Sequence, residues 1–551
     1  MPTITPARVH DFYQSWGVCT HFYDTTDAPW GTLGTTAFIS ALNFIGCTLC
    51  RDILPFTNLG YSDANYKTIA QAGVKFIFGA NPQNDPTHIT VPNFIASLNQ
   101  VLTDAPGCVA FVEGPNEVGT GTSFVYTSLA GATYANGLAS LTAYMKDLYA
   151  QVKANSASAA IPVLMMTTLQ GDNNSATTWQ STFNGGSTTN ATGLCDRGNL
   201  HQYPGVFSLR SNFSNAIGQS GSNAIGYNTA DGYITTTPIA ITESGYTAPN
   251  WPAVPPFPGS SPFAYAVPED VMAKYMPQNL LWAFANGFTP ICIYDLFEDE
   301  AFWGQQDEHE GFFGLFKPDG TARLPATALN VLKTALSDTG ATAATFTPTA
   351  QNITITGLPN AGNCAYLQKS AGDVVVCVWD DPLLWNPGSN AYFTPPSGTS
   401  VTVALGFTSP LVTITDTCTG TVSTQANASS VTVTVTDHVI VISAAVTAPA
   451  APVYPKANNP ATGIGPLTAV PAGSANGTLI GARPPGATGV RFYLPLGSSV
   501  TFTIAAAQPT SPPIAFTISG NGTGQYWEEA LEGNISIYIT ATSNGAMFRW
   551  F

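Results

Sequence analysis

The chain has 551 residues and is acidic, with 17 Lys and Arg against 33 Asp and Glu and a formal net charge of −16. Only 9% of the residues are charged, yet 44% are hydrophobic and 11% aromatic, and this composition excludes a disordered chain. The acid excess argues against a nucleic-acid partner, because phosphates need a basic surface, and the absence of any run of 18 apolar residues argues against a membrane span.

The N-terminal residues 1–16 lack a basic segment followed by an apolar one, so no signal peptide is expected in this chain. The remaining surface must be covered by uncharged polar residues, since Ser, Thr and Asn are abundant and charges are few. Such surfaces are typical of proteins that work outside cells. We therefore expect an extracellular or cell-surface location, reached after removal of a leader or by another route.

Residues 15–340 alternate short apolar runs with longer amphipathic segments, which is the pattern of a parallel sheet or barrel. Eight strands are predicted, at 17–22, 47–54, 74–79, 109–112, 162–169, 198–202, 238–242 and 289–294. Helices are predicted between them, among others at 134–153, 269–286 and 326–336. Eight is the number of strands in a closed barrel, so we predict an α/β fold with a (β/α)8 TIM barrel over residues 1–340.

Beyond the barrel the sequence becomes rich in Val and Thr, in short runs separated by turn residues. This pattern predicts a β-sandwich domain over residues 341–446. A linker rich in Pro and Ala is predicted at 447–471, followed by a small C-terminal all-β domain at 472–551. The aromatic residues of that last domain suit either carbohydrate binding or oligomerisation, and the oligomeric state stays open.

The nine cysteines are an odd number, so at least one thiol is unpaired within the chain. Cys364 and Cys377 lie on adjacent predicted strands, where either a disulfide or two buried thiols is possible. Cys47 and Cys50 form a CxxC sequence inside an apolar run. Neither a redox nor a metal role is expected for that pair.

Catalytic groups of a (β/α)8 barrel lie where the strands end, so acidic residues at those positions are the first candidates. Glu117 follows the fourth predicted strand, and Glu243 follows the seventh. Two carboxylates across one pocket can cleave a glycosidic bond, since one protonates the leaving oxygen while the other attacks the anomeric carbon or activates water. The non-catalytic alternative for each glutamate is that it caps a helix or lies on the surface.

The pair Asn116 and Glu117, taken with Glu243, resembles the pattern of the clan A retaining glycoside hydrolases. The resemblance covers roughly residues 15–445 and implies that Glu117 is the acid/base and Glu243 the nucleophile. It implies that Asn116 binds the hydroxyl next to the reacting carbon. A β-sandwich behind the barrel also occurs in this clan, among families related to β-xylosidases and glucuronidases.

Further positions match the clan. Arg51 follows the second strand, where an arginine often stands near the nucleophile. His201 and Tyr203 resemble its His-x-Tyr sequence after the sixth strand, and Tyr203 would orient Glu243 through a hydrogen bond. The eighth strand departs from the pattern, because it offers Tyr294 and Asp295 where many members have a tryptophan.

The remaining substrate-binding candidates are weaker. Glu113, inside the fourth strand, is either a sugar-binding acid or a partner for Arg51, since a carboxylate facing into a barrel needs one. His21 ends the first strand, and Tyr246 and Asp295 follow the seventh and eighth. Aromatic rings in loop-like segments could stack on sugars; they are Trp30, Trp179, Trp251 and Trp303, of which Trp303 is preferred.

No cofactor and no metal ion is expected. The sequence contains no HExxH, no P-loop and no GxSxG, so metalloprotease, phosphoryl-transfer and serine-esterase chemistry have no motif. An acidic stretch from Glu298 to Glu310 has the hard oxygen ligands that calcium prefers, but a solvated loop is the simpler interpretation.

These observations predict a hydrolase that cleaves β-linked poly- or oligosaccharides with retention, with a bacterial exopolysaccharide as one candidate substrate. It requires a raised pKa for Glu117 and an ionised Glu243 held by Tyr203 and Arg51. The alternatives are a non-catalytic carbohydrate-binding or surface-structural protein on a barrel scaffold, and an inverting hydrolase or a lyase.

Overall fold

The computed structural model describes two compact units, Met1–Thr447 and Ala448–Phe551. In the first unit the described residues are 3–22, 29–54, 63–80, 89–117, 124–135, 137–167, 194–211, 239–249, 266–300, 308–386, 388–389, 391–394 and 397–446. In the second they are 468–469, 478–482, 489–494, 499–505, 516–519, 525–530, 536–542 and 547–550.

Strands and helices alternate through most of the first unit. Its strands are β1 (Ala7–Arg8), β2 (Trp16–Cys19), β3 (Leu49–Ile53), β4 (Lys75–Gly79), β5 (Val109–Glu113), β6 (Tyr126–Thr127), β7 (Thr133–Tyr134), β8 (Val163–Leu164), β9 (Asn199–His201), β10 (Ile239–Ser244), β11 (Phe288–Ile293), β12 (Thr354–Thr356), β13 (Asn363–Gln368), β14 (Val374–Trp379), β15 (Trp385–Asn386), β16 (Ala391–Tyr392), β17 (Thr399–Asp416), β18 (Val422–Val435) and β19 (Ile440–Ala444). Its α-helices are α1 (Val9–Tyr13), α2 (Thr35–Ile45), α3 (Asp63–Gln71), α4 (Val91–Asp104), α5 (Gly137–Ala154), α6 (Glu269–Ala285) and α7 (Leu324–Leu336).

Eight parallel strands form a nearly closed barrel, in the order β8-β5-β4-β3-β2-β11-β10-β9. A single bridge between Leu164 of β8 and Arg197, just before β9, brings the two ends of the sheet together. Each of these strands lies at one of the eight predicted positions. The predicted fold class, a (β/α)8 barrel followed by all-β parts, is confirmed.

The helices bury the faces that their periodicity predicts. On α5, Leu141, Tyr144, Met145 and Leu148 are fully buried, as expected for apolar residues spaced by three and four. Helix α4 begins at a cap, where the Asn93 amide donates to the Thr90 hydroxyl at 3.4 Å. These helices pack against the outer surface of the barrel, so the ends of the strands remain uncovered and can form a pocket.

The all-β part of the first unit is one seven-stranded sheet, in the order β1-β13-β14-β19-β17-β12, with β18 paired to β17. The ladder between β17 and β18 is interrupted between Ala404 and Ser409, and apolar residues on both sides of the interruption share one core. The other face of β14, through Val375, Cys377 and Trp379, joins the core of the barrel helices. The N-terminal strand β1 pairs with β13 in this sheet, which the sequence did not predict.

The second unit contains two four-stranded antiparallel sheets. Its strands are β20 (Thr468–Ala469), β21 (Thr478–Ala482), β22 (Gly489–Leu494), β23 (Ser499–Ala505), β24 (Phe516–Ser519), β25 (Gln525–Ala530), β26 (Ser536–Thr542) and β27 (Met547–Trp550). They assemble in the orders β20-β27-β22-β25 and β21-β26-β23-β24. Strand β20 lies inside the segment that the sequence predicted as a linker.

All nine cysteines are free, and all but Cys364 and Cys418 are buried. In the ladder of β13 with β14, Cys364 faces Val378 and Cys377 faces Ala365, so the two thiols are not paired with each other. Both cysteines are therefore free thiols and not a disulfide, with Cys377 buried and Cys364 only partly buried. Among the described helices, none combines the length and the apolar character needed to cross a bilayer.

Candidate active site

A cavity of about 430 Å³ opens at the carboxyl ends of the barrel strands. Its lining residues are Cys19, Thr20, His21, Arg51, Asp52, Ile53, Gly79, Ala80, Asn116, Glu117, Tyr203, Glu243, Tyr294 and Glu310. Parallel strands end on the same side of a barrel, which is why residues far apart in sequence meet here. Six predicted site residues line the cavity: His21, Arg51, Asn116, Glu117, Tyr203 and Glu243.

Glu243 is held by two donors at the end of β10. The Tyr203 hydroxyl donates to its Oε2 at 2.7 Å, and Arg51 Nη1 donates to its Oε1 at 2.5 Å. Only 9% of the Glu243 side chain is exposed. Both carboxylate oxygens are therefore fixed, and both donors are the ones that the sequence resemblance implied.

Glu117 lies four residues beyond the end of β5 and is more open to the cavity, with 37% of its side chain exposed. Its backbone adopts a left-handed conformation with φ of 45°, and its amide donates to the Thr167 hydroxyl at 2.9 Å. This conformation is uncommon for a residue with a side chain. The turn thus sets the direction in which the side chain of Glu117 points from the end of β5.

His201 lies between the two carboxylates. Its Nδ1 is 2.9 Å from Glu117 Oε1 and 3.3 Å from Glu243 Oε2, while its Nε2 is 3.8 Å from Glu113 Oε1. Burial works against a charged imidazole, but Glu243, Glu113 and Glu117 outweigh it and raise the pKa of His201 to about 9. His201 is therefore protonated at neutral pH and links the two carboxylates as a cation.

Arg51 and Glu113 form the floor of the site. Arg51 donates through Nε to Glu113 at 2.6 Å, and through Nη2 to Asn116 Oδ1 at 2.6 Å. Glu113 is fully buried, and it also accepts from Asn199 at 2.8 Å and from the Thr242 hydroxyl at 2.6 Å. Burial raises the pKa of Glu113, yet Arg51 and His201 lower it to about 2, so this carboxylate stays ionised and fixes Arg51.

The expectation of a raised pKa for Glu117 is wrong for this arrangement. The hydrogen bond from His201 lowers the pKa of Glu117, more than burial raises it. The sequence reasoning placed Glu117 in a pocket but had no means of placing a protonated imidazole against it. In the hydrogen bond between the two groups, the proton therefore resides on His201.

Four predicted substrate contacts do not line the cavity. His201 is buried between the carboxylates, and Glu113 lies beneath the cavity as the partner of Arg51, which was the second of its two interpretations. Tyr246 is 1% exposed and belongs to the barrel exterior, where its hydroxyl donates to the Phe207 carbonyl at 2.8 Å. Asp295 is also 1% exposed and does not line the cavity.

The aromatic candidates divide in two groups. Trp30 is 2% exposed and packs in the core against Phe22, Phe38 and Phe297, so it offers no open face to a sugar. Trp179, Trp251 and Trp303 lie outside the described residues. His21 lines the cavity and stacks at a tilt near Tyr294, with ring centroids 5.8 Å apart.

Tyr294 and Glu310 are among the lining residues that were not proposed as contacts from the sequence. Tyr294 directly follows β11 and contacts Tyr203 and Phe313 edge to face, and Glu310 enters from the short helix Glu308–Phe312. Tyr294 stands at the departure from the clan pattern, so that departure was the available signal. Nothing in the spacing around Glu310 distinguished it from its acidic neighbours.

Glu117, His201 and Glu243 bring three ligand atoms within 4.8 Å of one another, the single such group among the described residues. Metal ligation requires an unprotonated imidazole, whereas His201 is protonated and Glu243 is already paired with Arg51. The arrangement thus does not fit a metal ion. In the described part of the acidic stretch, Glu298 is engaged by Arg323 at 2.9 Å, and Asp307 lies outside the described residues.

No known family profile matches the sequence, and no curated protein matches it. Solved structures with a similar fold include a family 39 glycoside hydrolase from the gut symbiont Bacteroides cellulosilyticus WH2, at 12% identity over 79% of this chain and 82% of that one, with a TM-score of 0.47. They also include the β-glucuronidase of Ruminococcus gnavus, at 15% identity over 57% of this chain and 50% of that one, with a TM-score of 0.38.

A β-glucuronidase from an uncultured Clostridium species matches in the same way, at 14% identity over 57% of this chain and 50% of that one, with a TM-score of 0.37. The matched part spans about half the length of these two glucuronidases. Structural similarity at such low sequence identity does not define an activity. The chemistry must be inferred from the side chains of the site.

Proposed function

We propose that the protein is a retaining glycoside hydrolase that cleaves oligo- or polysaccharides, with Glu243 as nucleophile and Glu117 as acid/base. The observation that carries the proposal is the pair of carboxylates in one cavity at the barrel mouth, from the ends of β5 and β10. One is fixed by two donors, and the other is more exposed and contacts a proton carrier. These are the two environments that the two roles require.

The separation of the carboxylates supports retention. One oxygen of Glu117 and one of Glu243 lie within 4.8 Å of each other. Retaining enzymes hold their carboxyl groups about 5 to 5.5 Å apart, whereas inverting enzymes leave roughly 6.5 to 9.5 Å for a water molecule. The close approach therefore favours direct attack over activation of water.

In the first step Glu243 forms a bond to the anomeric carbon, the glycosidic C–O bond breaks, and the leaving oxygen takes a proton from Glu117. Tyr203 and Arg51 keep Glu243 ionised and oriented before attack. In the second step Glu117 takes a proton from water, whose oxygen displaces Glu243 from the sugar. The configuration is retained because the anomeric carbon is inverted twice.

The proton for the first step is supplied through His201. Its Nδ1 contacts Glu117 at 2.9 Å, which is within direct transfer distance. As Glu243 loses its negative charge to the new bond, the cationic form of His201 loses its largest source of stabilisation. The proton then moves to Glu117 while Glu117 protonates the leaving group, and the water of the second step restores it.

The experiment that tests the proposal is reducing-sugar release from a broad polysaccharide panel by the wild type, Glu243→Gln and Glu117→Gln. We expect activity on at least one glycan, and a loss of at least about 1,000-fold in each variant. The control is Glu300→Gln, which removes an exposed acid and should keep full activity. Proton NMR of the first product should show the anomer of the substrate.

Other outcomes lead to other functions. Activity that survives Glu243→Gln removes the nucleophile assignment, and an inverted product or an unsaturated one absorbing in the ultraviolet identifies an inverting hydrolase or a lyase. Glycan binding without cleavage by the wild type supports the carbohydrate-binding protein. A β linkage, an exopolysaccharide substrate and a site of action outside the cell are extensions of the proposal that the panel also probes.

A further inference from the structure

We infer that the site accepts uncharged sugar units and excludes uronic acids, an inference that rests on the proposed function. Among the described residues, every positive charge at the cavity is paired with a carboxylate of the protein. A sugar carboxylate would meet no available cation among them.

The described lining residues contain more acids than bases. The cavity is lined by the carboxyl groups of Asp52, Glu117, Glu243 and Glu310, and by a single guanidinium, that of Arg51. Arg51 donates to Glu113, Glu243 and Asn116, so its Nε and both terminal nitrogens are engaged. It cannot turn to a ligand without releasing the nucleophile.

Three histidines near the cavity do not change this balance. His201 is buried between Glu117, Glu243 and Glu113 and neutralises charge within the site. His21 lines the cavity, and its Nδ1 lies 3.9 Å from Asp299, while His309 Nε2 lies 3.2 Å from Oε1 of Glu310. A positive charge on any of these rings is thus met by an acid of the protein.

The segments that follow the barrel strands and are not described cannot supply a guanidinium or ammonium group. Their sequences at 23–28, 55–62, 81–88, 118–123, 168–193, 212–238, 250–265 and 301–307 contain no Lys and no Arg. They contain six aspartates and one histidine, which are Asp24, Asp27, Asp85, Asp172, Asp231, Asp307 and His88. Within the first unit, these segments add six carboxyl groups and one imidazole, but no Lys or Arg.

The carboxylate of a bound uronic acid would thus lie close to negatively charged carboxylates of the protein, and no available Arg or Lys side chain would bind it. Recognition of carboxylates in proteins relies on available Arg or Lys side chains, and like charges placed together in a site oppose binding strongly. Hydroxyl groups of a neutral sugar, in contrast, can donate to Glu310 and to the two proposed catalytic carboxylates. The cavity lining therefore suits a neutral sugar, whose hydroxyl groups donate hydrogen bonds.

The test compares three aryl glycosides of one ring configuration: the neutral sugar that the wild type hydrolyses fastest, the corresponding uronide, and the methyl ester of that uronide. We expect kcat/KM for the uronide to be lower than for the neutral glycoside by about 100-fold or more. The methyl ester, which has the same skeleton without the charge, should recover at least tenfold. High salt should narrow the gap, because screening weakens repulsion.

A matched pair of variants locates the effect. Glu310→Gln removes one negative charge from the cavity lining, and we expect it to raise the ratio of uronide to neutral activity severalfold. Glu300→Gln makes the same change at an exposed position outside the lining and should leave the ratio unchanged. A ratio that moves equally in both variants would contradict a local origin.

The outcomes separate this inference from the function on which it rests. Hydrolysis of uronides at a rate equal to neutral glycosides, lost in Glu243→Gln, would overturn the inference and leave the proposed function intact. An ester as poor as the free uronide would also overturn it, since the discrimination would then be steric. If the wild type hydrolyses no glycoside, the proposed function fails, and the inference fails with it.

Discussion

Tyr203 shows at the scale of one residue how the site fixes Glu243, the proposed nucleophile. Its hydroxyl donates to Glu243 Oε2 at 2.7 Å, and Arg51 fixes the other oxygen. A hydrogen bond to a charged group contributes about 1.5–3 kcal/mol. The orientation of Glu243 therefore depends measurably on one phenol.

We expect Tyr203→Phe to lower kcat by about 10- to 100-fold, because the attacking oxygen loses its fixed direction. Steady-state kinetics on the best substrate measures this. The control is Tyr246→Phe, which removes a buried hydroxyl three residues after Glu243 but outside the cavity and should leave kcat unchanged. Equal effects of the two substitutions would show that Tyr203 contributes only packing.

His201 gives the site a distinct dependence on pH. Its pKa is raised to about 9 by the surrounding carboxylates, despite the opposing effect of burial. Because the imidazolium supplies the proton of the first step in the proposed mechanism, kcat/KM should fall as the pH rises through about 9. The Glu117 carboxyl, with its lowered pKa, could not by itself stay protonated at neutral pH.

We expect His201→Gln to move the basic limb of the kcat/KM profile to lower pH. The variant lacks the imidazolium, so the acid must be Glu117 itself, which gives up its proton well below pH 9. Profiles of kcat/KM against pH for the wild type and the variant measure the shift. An unchanged basic limb in the variant would exclude His201 as the proton store.

At the scale of elements, close approach of the β10 and β11 ends brings the site together. An ideal Cβ on Gly245 would lie 2.2 Å from the carbonyl oxygen of Tyr294. Glu243 and Tyr294 both line the cavity, so a side chain at Gly245 would push two lining residues apart. Only a glycine lets the strand ends come this close.

We therefore expect Gly245→Ala to destabilise the protein by about 1–3 kcal/mol, as overpacking does, and to lower kcat/KM more than tenfold. Thermal unfolding and steady-state kinetics measure the two effects. The control is Gly34→Ala, at the N-terminus of α2, where the added Cβ meets nothing within 4 Å. That change should cost roughly 0.5 kcal/mol and spare the activity.

Some of the helices and strands could be predicted from local sequence patterns, and others could not. The eight barrel strands and the buried face of α5 were predictable, because apolar periodicity reports which face is buried. Strand β1 was not, since Ala7 and Arg8 carry no strand pattern and are ordered by pairing with β13, some 360 residues away in sequence. A two-residue strand exists only through its partner.

At the scale of the whole first unit, a cluster of charges joins the barrel to the all-β part. Lys274 of α6 donates to Asp437 at 2.9 Å. His438 lies 2.9 Å from Asp437 and 3.0 Å from Asp416. Burial opposes the charge on His438, but the two aspartates raise its pKa to about 9, and the pKa of each aspartate is lowered to about 2.

The sign of the resulting pH dependence follows from these shifts. A raised pKa in the folded state means that His438 stabilises the fold fully below its unfolded pKa of about 6.5, and that this contribution disappears as the pH rises through 9. The aspartates contribute above their unfolded pKa of about 3.9, and lose that contribution as the pH falls toward 2. The cluster is thus strongest between these limits.

We expect His438→Gln to lower the free energy of unfolding by about 2 kcal/mol near pH 6, and by much less above pH 9.5, where the wild-type imidazole is neutral. Urea unfolding at the two pH values measures the difference. The same substitution at His10, which lies in α1 and outside this cluster, is the control. A loss that is equal at both pH values would indicate packing and not charge.

The sequence by itself determined the barrel, the number of its strands and the positions of Glu117 and Glu243. These follow from local rules: periodicity identifies strands, and the parallel topology places every strand end at one mouth. Arg51, Asn116, His201 and Tyr203 were identified by resemblance to a pattern. Their meeting in one cavity needed only that topology to be correct.

The tertiary structure alone decided the charges and the final membership of the site. Glu113 and Arg51 are 62 residues apart in sequence, and Arg51 and Glu243 are 192 apart, so their pairing depends on distances that spacing does not encode. The side chain of Tyr246 points away from the cavity, and Glu310 lines it, because packing sets the direction of side chains at the strand ends. The pKa of Glu117 went down where the sequence predicted a rise, since electrostatic effects depend on the distance to His201 and not on the order of residues along the chain.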